Sequence, residues 1–201
     1  MEIVCLDMEG VVVPEIWINF AEKTGIEELR LTTRDIKDYN ELMQHRLNVL
    51  NQHGFTLKDI QEVIATLAPF DGAKDFLDWI RERTQLVILS DTFSEFAAPL
   101  IKQLGMPTLF CHELEIASDG KIANYKLRMQ DHKTHATRAF QSLNFKVFAA
   151  GDSYNDTGML KQAQKGVLFK SPQNVKDDFP QFETAETYDE MKKIISQFLD
   201  S

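Results

Sequence analysis

Hydrophobic residues occur along this chain in short continuous runs separated by amphipathic stretches. Four runs rich in β-branched and aromatic residues lack polar alternation, which is typical of strands covered on both faces. These predicted strands are Ile3 to Leu6, Leu86 to Leu89, Lys146 to Ala150 and Gly166 to Phe169. The pattern predicts an α/β fold with a doubly wound parallel sheet, because helical stretches fill the intervals between the strands.

The remaining periodicity supplies the other elements of this core. The predicted helices run from about Ala73 to Arg83, from Ser94 to before Gly105, from about Lys133 to Leu143, from after Asp156 to before Gly166, and, after a capping box at Thr187-Tyr188-Asp189-Glu190, to about Leu199. Residues 113–127 alternate around Ser118-Asp119-Gly120, which predicts a β-hairpin.

Residues 15–70 break the strand–helix alternation, since they contain no convincing strand. Their pattern predicts three helices: Glu15 to Lys23, Ile36 to Gln52, and Leu57 to Leu67 with Thr56 as its N-cap. Open α/β sheets bind ligands at the carboxyl ends of their strands. We therefore expect a core of residues 1–13 and 71–201, and a helical cap of residues 14–70 over those strand ends.

Composition and charge exclude several classes of protein. The chain has 201 residues, of which 43% are hydrophobic, and a net charge of −9. It is too apolar to be disordered, and no run approaches the roughly 20 apolar residues of a membrane span. Its negative charge repels nucleic acid and anionic membranes, so neither is an expected partner. Two cysteines without framework spacing and the lack of a secretory signal predict a cytoplasmic protein. The sequence does not decide whether the protein forms a homodimer.

Acidic and hydroxyl side chains follow three of the predicted strands directly. Asp7 and Glu9 follow the first strand, Ser90 and Asp91 the second, and Asp152 the third. A single acid at a strand end is more simply a helix cap or turn residue, but three such ends favour a shared site. Two like charges about 4 Å apart repel by about 4 kcal/mol at an effective dielectric of 20. A divalent cation would relieve that repulsion, and oxygen ligands without His or Cys favour Mg²⁺.

This set of groups matches the requirements of phosphoryl transfer. Asp7 can attack phosphorus, Mg²⁺ on Asp7 and Asp152 can screen the charges, and the Ser90 hydroxyl with a lysine can bind phosphoryl oxygens. Glu9 can protonate the leaving alkoxide and then deprotonate the incoming nucleophile.

These residues resemble the haloacid dehalogenase superfamily of aspartate-nucleophile phosphotransferases over the whole chain. The four motifs of that superfamily appear in order, as Asp7-Met8-Glu9-Gly10-Val11, Ser90, Lys133 and Gly151-Asp152-Ser153-Tyr154-Asn155-Asp156. The fourth motif is specific, whereas the first alone would be weak. The resemblance implies a core of Rossmann-like topology with a cap between the first two motifs.

Within that superfamily, the cap is similar to that of phosphoserine phosphatases. The segment Tyr39 to Arg46 resembles the part of their cap that carries an arginine for the substrate carboxylate, and Glu15 matches their glutamate for the substrate ammonium. Without the resemblance, Arg46 would more simply be a solvated helix charge and Glu15 a first-turn residue favoured by the helix dipole.

The resemblance also assigns roles to the remaining site residues. It implies that Asp7 is the nucleophile and that Mg²⁺ is held by Asp7, Asp152 and the backbone carbonyl of Glu9. Asp156 would support these ligands or bind the metal through water. Ser90 and Lys133 would bind the phosphoryl oxygens and Asn155 the substrate. Lys126 and Arg128 compete with Lys133, whose place at the start of a helix favours it.

Three departures from the usual family pattern point to one branch of the family. Glu9 replaces an aspartate, Asp91-Thr92 replaces two glycines after Ser90, and Asp131-His132-Lys133-Thr134 replaces the usual lysine loop. With Val13 to Trp17, this set is similar to the bifunctional branch that transfers phosphate from phosphoserine to homoserine. Asp91 is expected to contact a substrate amine or hydroxyl, or to cap the following helix.

Other functions fit the sequence less well. A phospho-accepting receiver domain also uses an aspartate, Mg²⁺, a hydroxyl and a lysine, but it is shorter and lacks a cap. A plain binding module, or a phosphatase for another small phosphomonoester, remains an alternative. The chain has neither the glycine-rich dinucleotide fingerprint nor the P-loop. His132 and His135 flank Lys133 and could tune the site, but they are more simply interpreted as surface histidines.

Overall fold

The computed structural model describes residues 1–32, 35–36 and 38–201 of the chain. Within these residues the strands are β1 (Glu2–Leu6), β2 (Gln85–Phe93), β3 (Leu109–Ile116), β4 (Ile122–Lys126), β5 (Lys146–Gly151), β6 (Lys165–Phe169) and β7 (Glu183–Ala185). The α-helices are α1 (Ile16–Thr24), α2 (Tyr39–Gln52), α3 (Leu57–Ile64), α4 (Ala73–Arg81), α5 (Ser94–Gln103), α6 (His132–Ser142), α7 (Thr157–Gln162), α8 (Gln173–Asp178) and α9 (Tyr188–Leu199). Two 3₁₀ turns cover Glu27–Arg30 and Tyr154–Asp156.

The strands form one sheet in the order β4-β3-β2-β1-β5-β6-β7. Every neighbouring pair is parallel except β3 and β4, which pair antiparallel as the sequence predicts for a hairpin. The predicted α/β fold is therefore confirmed.

The register of the central strand decides which loops meet. Leu6 at the end of β1 pairs with Ile88 of β2 on one side and with Ala150 of β5 on the other. Asp7 then continues the ladder, since its backbone N–H donates to the carbonyl of Ala150 at 2.9 Å. The three loops that follow β1, β2 and β5 consequently leave the sheet side by side.

Two apolar clusters cover the two faces of the sheet. The smaller lies under α6, α7 and α8 and includes Cys5 and Leu89. The larger contains the apolar residues of α4, α5 and α9 and also those of α1 and α2. The edge-to-face contact of Trp17 with Phe96, with ring centroids 5.4 Å apart, joins α1 to α5 within this cluster.

The three predicted helices after β1 are present with shifted ends. Asp38 accepts a hydrogen bond from the Glu41 backbone N–H and caps α2, so this helix begins at Tyr39 rather than at Ile36. Lys37, inside the predicted helix, lies outside the described residues. The third helix begins after Thr56, in a capping box, but ends at Ile64 instead of Leu67. Pro69 follows closely, and a proline disfavours helical geometry for the residue before it.

The sheet is wider than the four predicted strands and the hairpin. β3 begins at Leu109 and pairs with β2 before it enters the hairpin with β4. β7 and the short helix α8 were not predicted. β2 continues to Phe93 with an irregular register after Leu89, which is where the sequence predicts its end. No helix in the described ranges has both the length and the apolar character that a membrane crossing needs.

Candidate active site

The centre of the site is a buried ion pair between Asp7 and Lys133. Asp7 follows β1, and Lys133 lies in the first turn of α6, with only 2% of its side chain exposed. Nζ of Lys133 is 2.9 Å from Oδ1 of Asp7 and 2.8 Å from Oδ1 of Asp156. Burial favours the neutral amine, but the carboxylates of Asp156 and Asp7 raise the pKa of Lys133 well above its usual value. Lys133 therefore stays charged between two carboxylates.

The loop after β5 brings two more carboxylates to this point. Oδ2 of Asp156 accepts from the backbone N–H groups of Asp152 and Ser153, at 3.0 and 3.1 Å, which fixes the turn. Carboxylate oxygens of Asp7, Asp152 and Asp156 all lie within 4.8 Å of one another. The structure thus groups the predicted metal ligands Asp7 and Asp152 with the predicted supporting residue Asp156.

A glycine allows this close approach. Gly10 has φ +75, and a Cβ built on it would lie 2.5 Å from the carboxyl carbon of Asp152. The backbone after β1 therefore passes directly against the Asp152 carboxylate, and a larger residue at position 10 would displace it.

The carboxylates in this cluster suit a cation that compensates their charge. Burial is the largest cause that raises the pKa of Asp7 well above its usual value, and the charge of Asp156 raises it further. Burial and Asp156 likewise raise the pKa of Asp152 to about 7. Lys133 offsets only part of this negative charge. The donor set is all oxygen, so it fits a hard divalent ion.

Ser90 lies at the irregular part of β2, next to this cluster in the sheet order. Its side chain is buried, and its Oγ accepts from the Thr92 backbone N–H at 3.3 Å. The break in the β2–β3 register places Ser90 beyond the last regular pair with β1. Ser90 therefore lies at the same edge of the sheet as Asp7.

Glu9 links the site to α1, the first helix after β1. Its Oε2 accepts from the backbone N–H of Ile16, at the start of α1, at 2.8 Å. Burial raises the pKa of Glu9 to about 8, and the neighbouring carboxylate of Glu15 adds to this rise. Glu15 itself is exposed and also acts on the pKa of Asp152. Glu9 and Glu15 are therefore close to each other, and Glu15 is also near Asp152.

Arg46 is buried on α2 rather than solvated. Its guanidinium lies over the Trp17 ring, 4.5 Å from the centroid, and donates to the Leu31 carbonyl at 2.9 Å. Burial lowers the pKa of Arg46 to about 10. Its Nε is buried without a hydrogen-bond partner among the described residues. An unpaired charged donor of this kind is costly, and a bound anion would satisfy it.

Asp91 and Asn155 complete the predicted set. Oδ2 of Asp91 accepts from Nδ2 of Asn155 at 2.7 Å and lies 3.2 Å from Nζ of Lys133. The structure therefore brings Asp91 and Asn155 to the Lys133 side of the site, whereas Glu9 lies in the loop after β1, Glu15 directly before α1 and Arg46 on α2.

Two histidines were missed as parts of this site. His132 and His112 are 1% and 3% exposed, and their rings pack at a centroid distance of 4.6 Å beside Asp91. The interpretation of His132 as a surface residue is wrong, while His135 is exposed as expected. The signal available in the sequence was the position of His132 directly before the site lysine.

Comparisons with known proteins identify the family of the chain. A family model described as haloacid dehalogenase-like hydrolase matches residues 1–164. Phosphoserine phosphatase ThrH of Pseudomonas aeruginosa is 59% identical over 193 residues, which are 96% of this chain and 94% of the relative. A phosphoserine phosphatase of Pseudomonas syringae pv. tomato is 58% identical over 96% of this chain and 81% of the relative. A solved structure described as a phospho-aspartyl intermediate analogue of phosphoserine phosphatase covers 96% of this chain and 98% of its own, with a TM-score of 0.76 and 18% identity, which bears on the fold alone. The chain therefore belongs to the haloacid dehalogenase-like hydrolase family.

Proposed function

We propose that this chain is a Mg²⁺-dependent phosphoserine phosphatase that forms an aspartyl phosphate on Asp7 and also transfers the phosphoryl group to homoserine. The observation that carries the proposal is the buried Asp7 carboxylate, held by Lys133 within the cluster of Asp152 and Asp156. The names of the two Pseudomonas relatives support phosphoserine as the substrate.

The carboxylate cluster supports the metal part of the proposal. Asp7, Asp152 and the backbone carbonyl of Glu9 would hold Mg²⁺, and Asp156 would fix the Asp152 loop through its two N–H contacts. When bound, the ion would screen the negative charges of carboxylate and phosphate from each other.

The proposed reaction has two steps at Asp7. A carboxylate oxygen of Asp7 bonds to phosphorus while the bond to the serine oxygen breaks, and the Glu9 carboxyl gives its proton to the leaving serine oxygen. With a pKa raised to about 8 by burial and Glu15, Glu9 holds that proton at neutral pH. The ammonium of Lys133 and the Ser90 hydroxyl donate to the phosphoryl oxygens. Glu9 then takes a proton from water or from the homoserine hydroxyl, whose oxygen displaces Asp7.

The inserted helices would supply recognition of the amino acid. Residues 14–70 would act as a cap, in which Arg46 binds the substrate carboxylate and Glu15 faces the ammonium. The unpaired buried Nε of Arg46 supports this assignment because a carboxylate would give it the missing acceptor. Asn155 would contact the substrate near Lys133.

Transfer to homoserine follows from the same contacts. Homoserine carries the same carboxylate and ammonium as serine, with one more methylene, so it can replace serine at Arg46 and Glu15. A positioned alcohol can have an effective concentration on the order of 10⁵ M. It can therefore compete with water at the aspartyl phosphate.

The test is a panel of small phosphomonoesters assayed with Mg²⁺ and with EDTA, with and without homoserine. We expect phosphoserine to be the preferred substrate, activity to need Mg²⁺, and O-phosphohomoserine to form when homoserine is present. Asp7→Asn should abolish turnover and the base-labile phosphoryl label on the protein, whereas the exposed control Asp119→Asn should retain both.

Each alternative gives a different result. Preference for another ester would contradict phosphoserine as the substrate. Formation of free phosphate alone at saturating homoserine would contradict transfer to homoserine. A stable phosphorylated protein without turnover would indicate a receiver domain, and ligand binding that survives in Asp7→Asn without turnover in the parent would indicate a binding module.

A further inference from the structure

A buried cluster of two histidines and one aspartate lies beside the proposed phosphoryl site. His112 comes from β3 and His132 from the first turn of α6, and both Nε2 atoms face Oδ1 of Asp91, at 3.6 and 3.2 Å. His132 Nε2 is off the line of a good hydrogen bond and has no other partner among the described residues. By residue type, this cluster resembles a metal site, since its ligand atoms lie within 4.8 Å of one another.

The opposite ring nitrogens contradict that interpretation. Nδ1 of His112 accepts from the backbone N–H of Arg128 at 3.2 Å, and Nδ1 of His132 lies 3.0 Å from the Arg128 guanidinium. A guanidinium has only donors, so both Nδ1 atoms are acceptors. In a neutral imidazole the proton then resides on Nε2. A metal-bound Nε2 would instead require Nδ1 to carry the proton and donate it.

The surroundings of His132 keep its ring neutral. Burial is the largest cause that lowers the pKa of His132, and the charges of His112 and Lys133 act with it, whereas Asp91 opposes them without reversing the shift. The Arg128 guanidinium, which sets the tautomer, stacks over the Phe110 ring at 4.9 Å and is thereby held in place. Arg128 thus contacts the Nδ1 atoms of both histidines, which leaves their two Nε2–H groups beside Oδ1 of Asp91.

The second oxygen of Asp91 is directed to the reaction site. Oδ2 accepts from Asn155 at 2.7 Å and contacts Nζ of Lys133 at 3.2 Å. Burial would raise the pKa of Asp91, but the charge of Lys133 and the contacts with the two histidines and Asn155 hold it well below its usual value. All the oxygens of Asp91 therefore already have partners, which leaves little capacity for a substrate amine.

We infer that Asp91 is a positioning residue, held by Nε2–H donors of His112 and His132, that orients Lys133 and Asn155 toward the phosphoryl group. Lys133 has three carboxylate neighbours, and without a fixed Asp91 its ammonium would be held by Asp7 and Asp156 alone. The inference rests on the proposed phosphatase function for its kinetic consequence, but the tautomers are a property of the protein itself.

The first experiment reads the tautomers without using activity. Long-range ¹H–¹⁵N spectra of the ¹⁵N-labelled protein at neutral pH should show both His112 and His132 as neutral Nε2–H rings, with His135 as an exposed reference. Titration with Zn²⁺ should leave these two signals unchanged. Protonated or Nδ1–H rings, or saturable Zn²⁺ binding at these two signals, would overturn the inference whether or not the protein is a phosphatase.

The second experiment reads the effect on Lys133 by kinetics. His132→Leu removes the Nε2–H contact with Asp91 and should lower kcat for phosphoserine about tenfold, with KM changed less than about twofold, since the lost contact acts on a charged group. His132→Gln places an amide N–H near the Nε2 position and should recover most of kcat, and the exposed control His135→Leu should match the parent. Unchanged kcat in His132→Leu, or equal losses of kcat and thermal stability in the Leu and Gln variants, would contradict the positioning role. Absence of phosphatase activity in the parent would count against the proposed function and leave the spectra as the test of the cluster.

Discussion

Nζ of Lys133 lies 2.9 Å from Oδ1 of Asp7, although 126 residues separate them in the chain. The lysine also contacts Asp156, so one buried cation balances the carboxylates at the end of β1 and after β5. Removing one partner of a buried ion pair leaves charge uncompensated.

Lys133→Met should therefore destabilise the metal-free protein by about 3–5 kcal/mol. Urea unfolding in EDTA measures this loss of stability. Phosphatase activity, measured with Mg²⁺, should also fall because the phosphoryl oxygens lose a donor. The exposed Lys126→Met is the matched control and should stay within about 0.5 kcal/mol of the parent. Equal stability of the two variants would show that Lys133 does not compensate the cluster.

Gly10→Ala should abolish activity with a modest loss of stability. The new Cβ would lie 2.5 Å from the Asp152 carboxyl carbon and must displace it. Gly25→Ala is a matched control, since Gly25 also has positive φ but nothing within 4 Å of a built Cβ. Both variants should lose about 1–2 kcal/mol in thermal or urea unfolding from backbone strain. Retained phosphatase activity in Gly10→Ala would contradict the role of Asp152.

Arg46→Met should raise KM for phosphoserine about 10- to 100-fold, because charged hydrogen bonds to the substrate carboxylate are lost. KM for phosphoethanolamine, which lacks that carboxylate, should rise much less. Arg30→Met removes an exposed arginine paired with Glu22 and should leave both KM values unchanged. An equal effect on both substrates would place Arg46 outside carboxylate recognition.

The metal-free protein should become less stable as the pH rises. The folded pKa of Asp152 is raised to about 7 by burial and Asp156, so this group stabilises the fold while protonated. That stabilisation is complete below its unfolded pKa and is lost as the pH rises through about 7. Urea unfolding in EDTA at about pH 5 and about pH 8 should therefore show a steeper loss for the parent than for Asp152→Asn. Mg²⁺ should reverse the loss at the higher pH, and parallel pH curves for the two proteins would argue against the raised pKa.

The sequence predicted the parts of the structure that depend on strand order. Apolar runs identified β1, β2, β5 and β6, and parallel strands bring their carboxyl ends to one edge, so the meeting of Asp7 and Asp152 followed from the pattern. The choice of Lys133 over Lys126 rested on its place at a helix start. The structure places Lys133 against Asp7.

The missed features depend on contacts that a local pattern does not encode. β7 has three residues and its pairing with β6 is its main signal. The burial of His132 arises because β3 lies beside β2, which brings His112 and Asp91 to it from distant parts of the chain. Likewise, Arg46 lies on a helix of mixed polarity, and only the position of Trp17 shows that it is buried.

The hydrogen bond from the Ile16 N–H to Glu9 couples two events that are usually considered separately. This bond stabilises the charged form of Glu9 and lowers its pKa, against the larger effect of burial. By thermodynamic linkage, deprotonation of Glu9 must strengthen this hydrogen bond by the same free energy, while it also increases the repulsion between Glu9 and Glu15. Proton transfer at Glu9 is therefore coupled to the contacts that join the loop after β1 to the start of α1.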